Sequence, residues 1–535
     1  MPATADARYD LIIIGSGPGG GAVAWRLAAT GKRILILERG GYLPRSRDNW
    51  DTREVFTKAR YQAKETWTAA NGEEFHPGLH YFVGGNSKVY GAALFRLRTS
   101  DFGAVRHEDG ISPAWPLGYE ALAPCYQLAE DLYRIRGLRG DDPTEPPADR
   151  PYPCPPVEHE PRIAALSDNL RRLGHRPFHL PMAVLLDQDA AGDALPDSTC
   201  IRCDHCDGYP CPVNAKADAQ VVCVDPTLHD HPNVTMMTHA FADRLLTDAP
   251  GGSVTGVEVV IGDGEAAIRR MFAADVVVVA CGALSSALLM LRSGNAAHPD
   301  GLGNASGLVG RNYMRHNNSI VLAVSRTPNP TRFQKTLGLN DFYHAPENGG
   351  MGEWDYPLGH IQMVGKSDGA QIEAEALPGF LQRFPEAPFG WIARHSIDFW
   401  LQSEDLPLPQ NRISYSGGRV RLDLTPTNAQ AHRRLRAALR RILDHVDIHP
   451  HLFDRTLYFG QDVPIGGTAH QAGTMRFGPD PASAVLDLDC KVHGIDNLYV
   501  ADASFFPSIG AVNPTLTIIA NAIRVADRIG ERLVA

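Results

Sequence analysis

A chain of 535 residues is too long for one simple hydrophobic core, so its length predicts two to four modules. Hydrophobic residues make up 44% and charged residues 21%, as in ordinary water-soluble globular proteins. The formal net charge of −10 argues against non-specific nucleic-acid binding, which needs clustered Lys and Arg, and no apolar run is long enough to span a bilayer.

The N-terminal segment has no pattern of a secretory signal. Residues 1–8 are polar, and an apolar strand follows from Tyr9 without the charged and apolar regions of a signal peptide. Five of the nine cysteines are scattered, so a disulfide framework is not expected. The sequence therefore predicts a cytoplasmic location.

Residues 9–39 have the pattern of a strand, a glycine turn, a helix and a second strand. Leu11–Ile14 and Arg33–Leu37 are apolar runs, and Ala22–Ala29 between them is a helical stretch. This order predicts a βαβ unit of a parallel sheet.

The turn of this unit carries the GxGxxG spacing of a dinucleotide site. Gly15 permits the tight turn, Gly17 lets the backbone approach a pyrophosphate, and Gly20 allows the helix to pack closely on the strand. Glu38 ends the second strand, where a carboxylate accepts hydrogen bonds from a ribose hydroxyl. The fingerprint predicts a bound dinucleotide and does not by itself separate FAD from NAD.

Later segments predict a second module. Asp275–Ala280 reads as another buried parallel strand, with a helix after Gly282. Residues 317–460 are punctuated by Gly and Pro and contain alternating strands such as Ile397–Gln402 and Val420–Leu424, which favours an antiparallel sheet. His432–Leu443 is an amphipathic helix whose arginines form a solvated face.

The motifs in order resemble the glucose–methanol–choline (GMC) oxidoreductase family over most of the chain. The segments that carry the resemblance are GSGPGGG…LERG near the N-terminus, Val83–Ser87, Ala280–Ala283, Gly307–His316, His470–Thr474, Asn497–Ser504 and Asn513–Thr517. The resemblance implies an α/β fold, α+β overall, with a Rossmann-like FAD-binding domain and a substrate-binding domain on an antiparallel sheet. It implies a discontinuous FAD-binding domain of residues 1–110, 200–316 and 461–535, while residues 111–199 and 317–460 form the substrate-binding domain and a lid or connection.

The resemblance also implies site residues. His470 would accept the hydroxyl proton of an alcohol while a hydride moves to the flavin, and a histidine with an ordinary pKa near 6.5 suits that task. Asn513 occupies the position where some relatives have a second histidine, so it is expected to position the substrate oxygen. Asp502 is expected to reach the ribityl or pyrophosphate region, and the loop beside the flavin ring supplies Gly84, Gly85, Asn86 and Ser87.

The residues after Asn513 support this assignment physically. Pro514 suits the first position of a helix that runs from Thr515 to Arg528. The N-terminus of that helix carries about half a positive charge and would stabilise an anionic reduced flavin. Some sugar-oxidising relatives attach FAD to a histidine in the glycine loop, but Lys88, Val89 and Tyr90 stand there, so non-covalent FAD is predicted.

Four clustered cysteines leave alternatives open. Cys200, Cys203, Cys206 and Cys211 approach the spacing of a ferredoxin-like run and could ligate zinc or an iron–sulfur cluster, with His205 a further conceivable ligand. The other interpretation is a reduced or partly disulfide-linked lid loop over the flavin. The sequence alone does not assign a metal ion to these four cysteines. An electron-transfer or redox-sensing flavoprotein built around this cluster is the rival function of a different class.

The substrate is predicted only as a class. Asp398, Trp400 and Gln402 share one face of a predicted strand, where an aromatic and hydrogen-bonding groups would suit a sugar ring and Asp398 an amine; a solvent-facing strand is the alternative. Within the family, the segments GGNSKVYGAALFR and CDGYPC resemble enzymes of sugars and amino sugars. The favoured reaction is oxidation of the primary alcohol of an aminoglycoside, with a ring hydroxyl of a glycoside as the alternative. The electron acceptor is oxygen or an unknown redox partner, and neither nucleic acid nor membrane is an expected partner.

Overall fold

The computed structural model describes residues 5–262, 264–345, 354–376, 387–446 and 470–534. Its strands are β1 (Ala7–Ile14), β2 (Ile34–Leu37), β3 (Trp67–Ala69), β4 (Glu74–Phe75), β5 (Val105–His107), β6 (Gly110–Ser112), β7 (Pro177–His179), β8 (Val234–Met237), β9 (Ala240–Thr247), β10 (Val254–Ile261), β11 (Ile268–Val279), β12 (Asn317–Val324), β13 (Leu337–Leu339), β14 (His360–Met363), β15 (Ser396–Ser403), β16 (Arg412–Ser416), β17 (Arg419–Asp423) and β18 (Leu498–Val500).

The α-helices follow the same chain order. They are α1 (Pro18–Ala28), α2 (Tyr119–Leu132), α3 (Pro161–Arg172), α4 (Asp225–Asp230), α5 (Ala283–Arg292), α6 (Gly369–Ala376), α7 (Ala387–His395), α8 (Ala429–Asp444) and α9 (Thr515–Val534). Among the described residues, none of these helices combines the length and apolarity needed to cross a bilayer.

A seven-stranded sheet forms the first layer, in the order β8-β2-β1-β11-β10-β9 with β18 beside β11. The strands β8, β2, β1, β11 and β18 run parallel, and β9 and β10 extend the sheet as an antiparallel pair. Residues 11–14 and 34–37 are buried on both sheet faces, because helices cover a parallel sheet on both sides. The predicted βαβ unit and the strand at 275–280 are confirmed, the latter as the second half of the longer β11.

A five-stranded antiparallel sheet, β12-β15-β14-β13-β7, forms the second layer. Its buried side chains pack with α3 and α8 into a separate hydrophobic cluster that includes Val321, Phe399 and Leu439. The predicted helix at 432–443 is the central part of α8. The α/β fold with a Rossmann-like unit and an antiparallel second sheet is therefore confirmed.

One sequence prediction about this sheet is wrong. The segment Val420–Leu424 does not join the five-stranded sheet, since β17 pairs with β16 in a hairpin and runs parallel to β3 in a four-stranded sheet ordered β16-β17-β3-β4. The positive φ angles of Gly417 and Gly418 make the tight hairpin turn. Alternation alone identified the strand but could not identify its partner. Parts of the predicted second module, residues 447–460 among them, and residues 461–469 of the predicted FAD-binding segment lie outside the described residues.

The first sheet brings the predicted site residues to one edge. Parallel strands β1, β2, β11 and β18 end at the same side, and the turn before α1, Glu38, Cys281 and Asp502 directly follow those ends. Ligands of open α/β sheets bind beyond the carboxyl ends of the strands. The second sheet lies across this edge, because Gln402 of β15 contacts Asn513 next to α9.

Candidate active site

A cavity of about 1320 Å³ runs from the glycine turn to the second sheet. Most of the predicted site residues line it, namely Gly15, Gly17, Glu38, Gly85, Asn86, Ser87, Trp400, His470, Asp502, Asn513, Pro514 and Thr515. Four do not: Gly20, Gly84, Asp398 and Gln402 lie behind the wall. The two ends of the chain thus meet at one long cavity.

The glycine turn has three distinct local environments. Gly15 has a φ of +104°, which favours glycine. A Cβ on Gly20 would lie 2.0 Å from the carbonyl oxygen of Gly15, so α1 packs directly on the turn. A Cβ on Gly17 would meet no atom within 4 Å, because this residue faces the cavity. These environments match the roles that the GxGxxG spacing predicts.

Glu38 is buried at the end of β2, where its carboxylate holds two turns together. One oxygen accepts hydrogen bonds from the N–H of Ser16 at 3.0 Å and from its hydroxyl at 2.5 Å, and the other accepts from the N–H of Gly40 at 2.8 Å. Burial raises the pKa of Glu38, and these hydrogen bonds oppose the rise. Since each carboxylate oxygen has two lone pairs, Glu38 can still accept from a ribose hydroxyl.

The loop 84–87 is fixed against the glycine turn. Gly84 has a φ of +94°, and its N–H donates to the hydroxyl of Ser16 at 3.1 Å. The side-chain oxygen of Asn86 accepts from the N–H of His80 at 2.9 Å, and the hydroxyl of Ser87 accepts from the N–H of Ala219 at 3.1 Å. Asn86 and Ser87 therefore shape the loop, and Gly85 brings its backbone to the cavity.

Asp502 connects the turn after β18 to the residues that begin α5. One of its oxygens accepts from the N–H of Gly282 at 3.0 Å and from the hydroxyl of Ser286, while the other accepts from the N–H of Ser504 at 2.9 Å. Burial raises the pKa of Asp502, and its hydrogen bonds oppose that rise. The carboxylate thus fixes the N-terminus of α5 beside the cavity.

These residues fit FAD, the cofactor that the resemblance implies. The cavity is lined by two helix N-termini: Gly17 leaves open space before α1, and Pro514 and Thr515 lie at the start of α9. Helix N-termini favour negative charge, which suits a pyrophosphate at the first and a reduced flavin at the second. The residues that would hold FAD are the turn 15–20, Glu38, the loop 84–87, Asp502 and the start of α9.

The end of the cavity beyond Glu38 holds side chains that the sequence analysis did not identify. The guanidinium of Arg39 lies 3.9 Å from the ring centroid of Tyr81 and 4.7 Å from that of Phe241, and Arg292 lies 4.8 Å from Phe241 on the same wall. Such flat groups suit an adenine ring. No motif marks Phe241 or Arg292, since they come from β9 and α5 rather than from the fingerprint.

His470 and Asn513 line the cavity next to the second sheet. The Nδ1 atom of His470 is 2.8 Å from the Nδ1 atom of His316, and the side-chain oxygen of Asn513 accepts from the amide of Gln402 at 3.4 Å. Burial holds the pKa of His470 well below its usual value, and the positive charges of Lys335 and of a protonated His316 add to that effect, so the imidazole is neutral near pH 7. A neutral imidazole and a carboxamide on one wall can take up a proton and orient an oxygen.

The three predicted substrate residues have different environments, and none is on a solvent-facing strand. Trp400 is half-buried and lines the cavity. Gln402 is buried and contacts Asn513, so it orients a residue of the cavity wall. Asp398 is buried away from the cavity, where its carboxylate accepts from the N–H of Ser367 at 2.7 Å, so it is not placed to bind a substrate amine.

An ion pair that the sequence analysis missed lies in the same cavity. Lys335 and Asp207 both line the cavity, and the ammonium of Lys335 donates to the carboxylate of Asp207. The other oxygen of Asp207 accepts from the N–H of Gly365 at 2.6 Å. A Cβ on Gly91 would lie 1.8 Å from Asp207 and 2.0 Å from Lys335. The ion pair therefore packs directly against the backbone that follows the loop 84–87.

The four clustered cysteines lie in the loop 200–211, which also contains Asp207. None of them is in a disulfide, and burial raises the pKa of Cys200 to about 11. In the part of the chain that the structure describes, no group of three His, Cys, Asp or Glu side chains is arranged to hold a metal ion. Asp207 and Gly208 of this loop line the cavity, which favours the lid interpretation.

Sequence models of known families match three segments of the chain. The N-terminal model of GMC oxidoreductases matches residues 187–318, the C-terminal model matches residues 409–522, and a model of NAD(P)-binding Rossmann-like domains matches residues 13–92. The three matches contain the glycine turn, the flavin loop, the cysteine loop, His470 and Asn513.

Three relatives are similar over nearly the whole chain. The 6'''-hydroxyparomomycin C oxidase of Streptomyces lividus is 32% identical over 100% of this chain and 93% of its own. The paromamine 6'-oxidase of Streptomyces fradiae is 30% identical over 99% of this chain and 93% of its own. The 2-methyl-1,2-propanediol dehydrogenase of Mycolicibacterium austroafricanum is 27% identical over 99% of this chain and 97% of its own.

Solved structures share the fold at low identity. A formate oxidase of Aspergillus oryzae superposes with a TM-score of 0.67 at 17% identity, covering 99% of both chains. A pyridoxine 4-oxidase superposes with a TM-score of 0.60 at 20% identity, covering 97% of this chain and 98% of the other. At these identities the likeness shows the architecture alone.

Proposed function

The chain belongs to the GMC oxidoreductase family, and from that premise we propose that it oxidises the primary alcohol of an aminoglycoside to a carbonyl. As a member of that family it is an FAD-dependent alcohol oxidoreductase. One observation carries the proposal: His470 and Asn513 line the same cavity as the glycine turn and the start of α9, and Asn513 contacts Gln402 of the second sheet there.

The chain supplies the proton acceptor and the orienting groups of the reaction. When bound, FAD supplies the oxidant, because its flavin ring takes the hydride that leaves the carbinol carbon. The free ring nitrogen of His470 takes the hydroxyl proton, and the amide nitrogen of Asn513 donates to the substrate oxygen, since Gln402 already occupies the amide oxygen. The N-terminus of α9 stabilises the negative charge that develops beside it.

The substrate class rests on the polar lining of the second sheet. The side-chain oxygen of Asn318, which lines the cavity from β12, is buried without a hydrogen-bond partner among the described residues. Buried acceptors of this kind favour a ligand rich in N–H and O–H donors, and Trp400 offers a flat face for a sugar ring. Aminoglycosides combine amines, hydroxyls and sugar rings, and the relatives at 32% and 30% identity act by name on such compounds.

Anaerobic mixing of the holoenzyme with paromamine, paromomycin, glucose and benzyl alcohol tests the proposal. We expect the flavin absorbance to bleach with the aminoglycosides, and we expect an aldehyde product by NMR. A ketone product would favour the ring-hydroxyl alternative, and bleaching by benzyl alcohol or glucose alone would contradict the aminoglycoside assignment.

The His470→Ala variant tests the base. Flavin reduction should slow on the order of 10²- to 10⁴-fold while the bound flavin is retained, because general-base catalysis contributes that much. His229→Ala, on the exposed end of α4, is the matched control and should reduce at the wild-type rate. Unaltered reduction in His470→Ala would remove the base assignment.

Dioxygen is the proposed electron acceptor, because both aminoglycoside-named relatives are oxidases by name. The alcohol loses two electrons and two protons, and dioxygen gains both to give hydrogen peroxide. An oxygen electrode should record one dioxygen consumed for each alcohol oxidised. Turnover with ferricyanide and none with dioxygen would instead indicate a separate redox partner.

The division of the chain and its location also stay proposals. The strands of the seven-stranded sheet fall within residues 1–110, 200–316 and 461–535, and those of the five-stranded sheet within 111–199 and 317–460, which supports the predicted boundaries. The pairing of β17 with β3 crosses them. Proteolytic nicking near residues 110, 200 and 316 would test the boundaries, and cell fractionation would test the cytoplasmic location.

A further inference from the structure

The hydrogen bonds behind His470 fix which of its nitrogens carries a hydrogen. The Nε2 atom of His316 is 3.0 Å from the carbonyl oxygen of Gly510, and a carbonyl only accepts, so this nitrogen carries a hydrogen. Burial lowers the pKa of His316 to about 4, so the ring is neutral near pH 7 and its Nδ1 has a lone pair. The Nδ1 of His470, 2.8 Å away, must therefore be the donor, which leaves its Nε2 as the proton acceptor.

The chain of hydrogen bonds continues beyond His316. The peptide that joins Gly510 to Ala511 accepts from His316 through its carbonyl, and its N–H donates to the hydroxyl of Tyr343 at 3.2 Å. That hydroxyl donates to the buried carboxylate of Asp101 at 2.8 Å. Every donor points from His470 toward Asp101, so the dipoles of the chain reinforce one another.

From this geometry we propose that His316 is a positioning residue for alcohol oxidation, and that with Tyr343 and Asp101 it fixes the tautomer of His470 and stabilises the positive charge this base acquires. The inference rests on the proposed role of His470 as base. The peptide link cannot pass a proton onward without losing its amide resonance, so the proton stays on His470 and the chain acts by orientation and charge.

The charged groups around the imidazoles of His316 and His470 have opposite effects on a proton held by His470. Lys335, paired with Asp207, disfavours a proton on His470 from the cavity side. On the far side, the carboxylate of Glu404 accepts from the N–H of Gly510 at 3.1 Å and lies 3.1 Å from His107. Asp101 ends the chain, and its second contact is the N–H of Arg98 at 2.7 Å. The hydrogen-bond chain thus offsets part of the unfavourable effect of Lys335.

Histidine-selective ¹⁵N NMR of the oxidised holoenzyme tests the tautomer without any substrate. We expect the His470 signals, assigned by their loss in His470→Gln, to show a hydrogen on Nδ1 and a bare Nε2. In His316→Leu the hydrogen should move wholly or partly to Nε2. In His316→Asn the amide oxygen can stand where Nδ1 was, so the wild-type tautomer should return.

Kinetics of flavin reduction by paromamine supply the second measurement. His316→Leu should lower kcat on the order of 10- to 100-fold and change KM by no more than about twofold. This loss of rate is a part of the contribution that the base itself makes to catalysis. Tyr343→Phe should lower it by about threefold to tenfold and move the acid limb of the pH profile to lower pH, because the imidazolium loses its stabilising partner. His316→Asn should recover most of the rate.

A buried histidine outside the chain provides the control. His432 of α8 is held between the hydroxyls of Ser319 and Ser403 at 2.7 and 3.0 Å, so His432→Asn perturbs the second sheet without touching the chain of hydrogen bonds. A wild-type His470 with its hydrogen on Nε2 would overturn the proposal, as would a His316→Leu that behaves like His432→Asn. Absence of turnover with paromamine would refute the substrate proposal and leave the tautomer measurement intact. If His316→Leu fails to fold, Tyr343→Phe and His316→Asn still decide.

Discussion

At the residue scale, two glycines of one turn have different structural roles. Gly20 is in contact with the backbone of Gly15, whereas Gly17 faces open space in the cavity. The first contact serves folding and the second leaves room for a ligand. Substitution by alanine separates the two roles, because the added methyl group meets backbone at one position and cavity at the other.

We therefore expect opposite outcomes for the two alanine variants. Gly20→Ala should destabilise the protein by about 2–4 kcal/mol, since its Cβ would lie 2.0 Å from a carbonyl oxygen that cannot move far. Gly17→Ala should keep the wild-type fold and lose bound flavin, because its methyl group occupies the approach to the pyrophosphate. Circular dichroism melts and the 450 nm absorbance of purified protein measure the two effects. Full flavin content in Gly17→Ala would contradict the assignment of this turn.

At the scale of single elements, a buried lysine ties the cysteine loop to the rest of the fold. The ammonium of Lys216 is buried and donates to the carbonyl oxygens of Tyr90 at 2.8 Å, of Tyr209 at 2.7 Å and of Cys206. The loop is thereby tied to the segment beside the flavin. Because three carbonyl oxygens accept from its ammonium, this lysine has a structural role in holding the cysteine loop and is not a surface charge.

Replacing that lysine should loosen the loop. Lys216→Met removes the donor of three carbonyls, which we expect to cost about 2–5 kcal/mol and to expose the buried thiol of Cys206. Alkylation of the native protein by a maleimide, followed by peptide mass spectrometry, should then label Cys206 faster than in the wild type. Lys58→Met, at an exposed ion pair, is the control and should leave labelling unchanged. Equal labelling in both variants would contradict the clamp.

At the scale of the whole molecule, local patterns were predictable and distant pairings were not. The unit from β1 to β2 follows from apolar runs and glycines within about thirty residues, and the start of α9 follows from Pro514. The pairing of β17 with β3 depends on short strands far apart in the chain. The contact of His316 with His470 spans 154 positions and is created only when both sheets assemble. The segment Gly307–His316 marked His316 by resemblance, but no local rule gives its partner.

Assembly of the two sheets also buries many ionisable groups, which makes stability depend on pH. Burial lowers the pKa of four histidines to about 3 or 4, from 6.5 in the unfolded chain. Below pH 6.5 these histidines bind protons in the unfolded chain that they do not bind in the folded protein. Each buried histidine therefore lowers the free energy of unfolding by up to about 1.4 kcal/mol per pH unit as the pH falls toward 4. These residues are His159, His316, His360 and His432.

Two buried carboxylates act in the opposite direction. Burial raises the pKa of Asp101 and of Asp405 to about 6, so below that pH the folded protein binds protons that the unfolded chain releases, and stability rises as the pH falls toward 4. Glu38 and Asp502 act in the same direction as these two carboxylates, and His470 acts in the same direction as the four histidines. The histidines remain in excess, so we expect the free energy of unfolding to fall by up to a few kcal/mol between pH 6.5 and 4.5. Urea unfolding of the holoenzyme, followed by circular dichroism at each pH, measures it. Replacing His432 by Asn should flatten the slope by about one proton, whereas replacing the exposed His229 should not, and a protein more stable at pH 4.5 than at 6.5 would show that the carboxylates dominate.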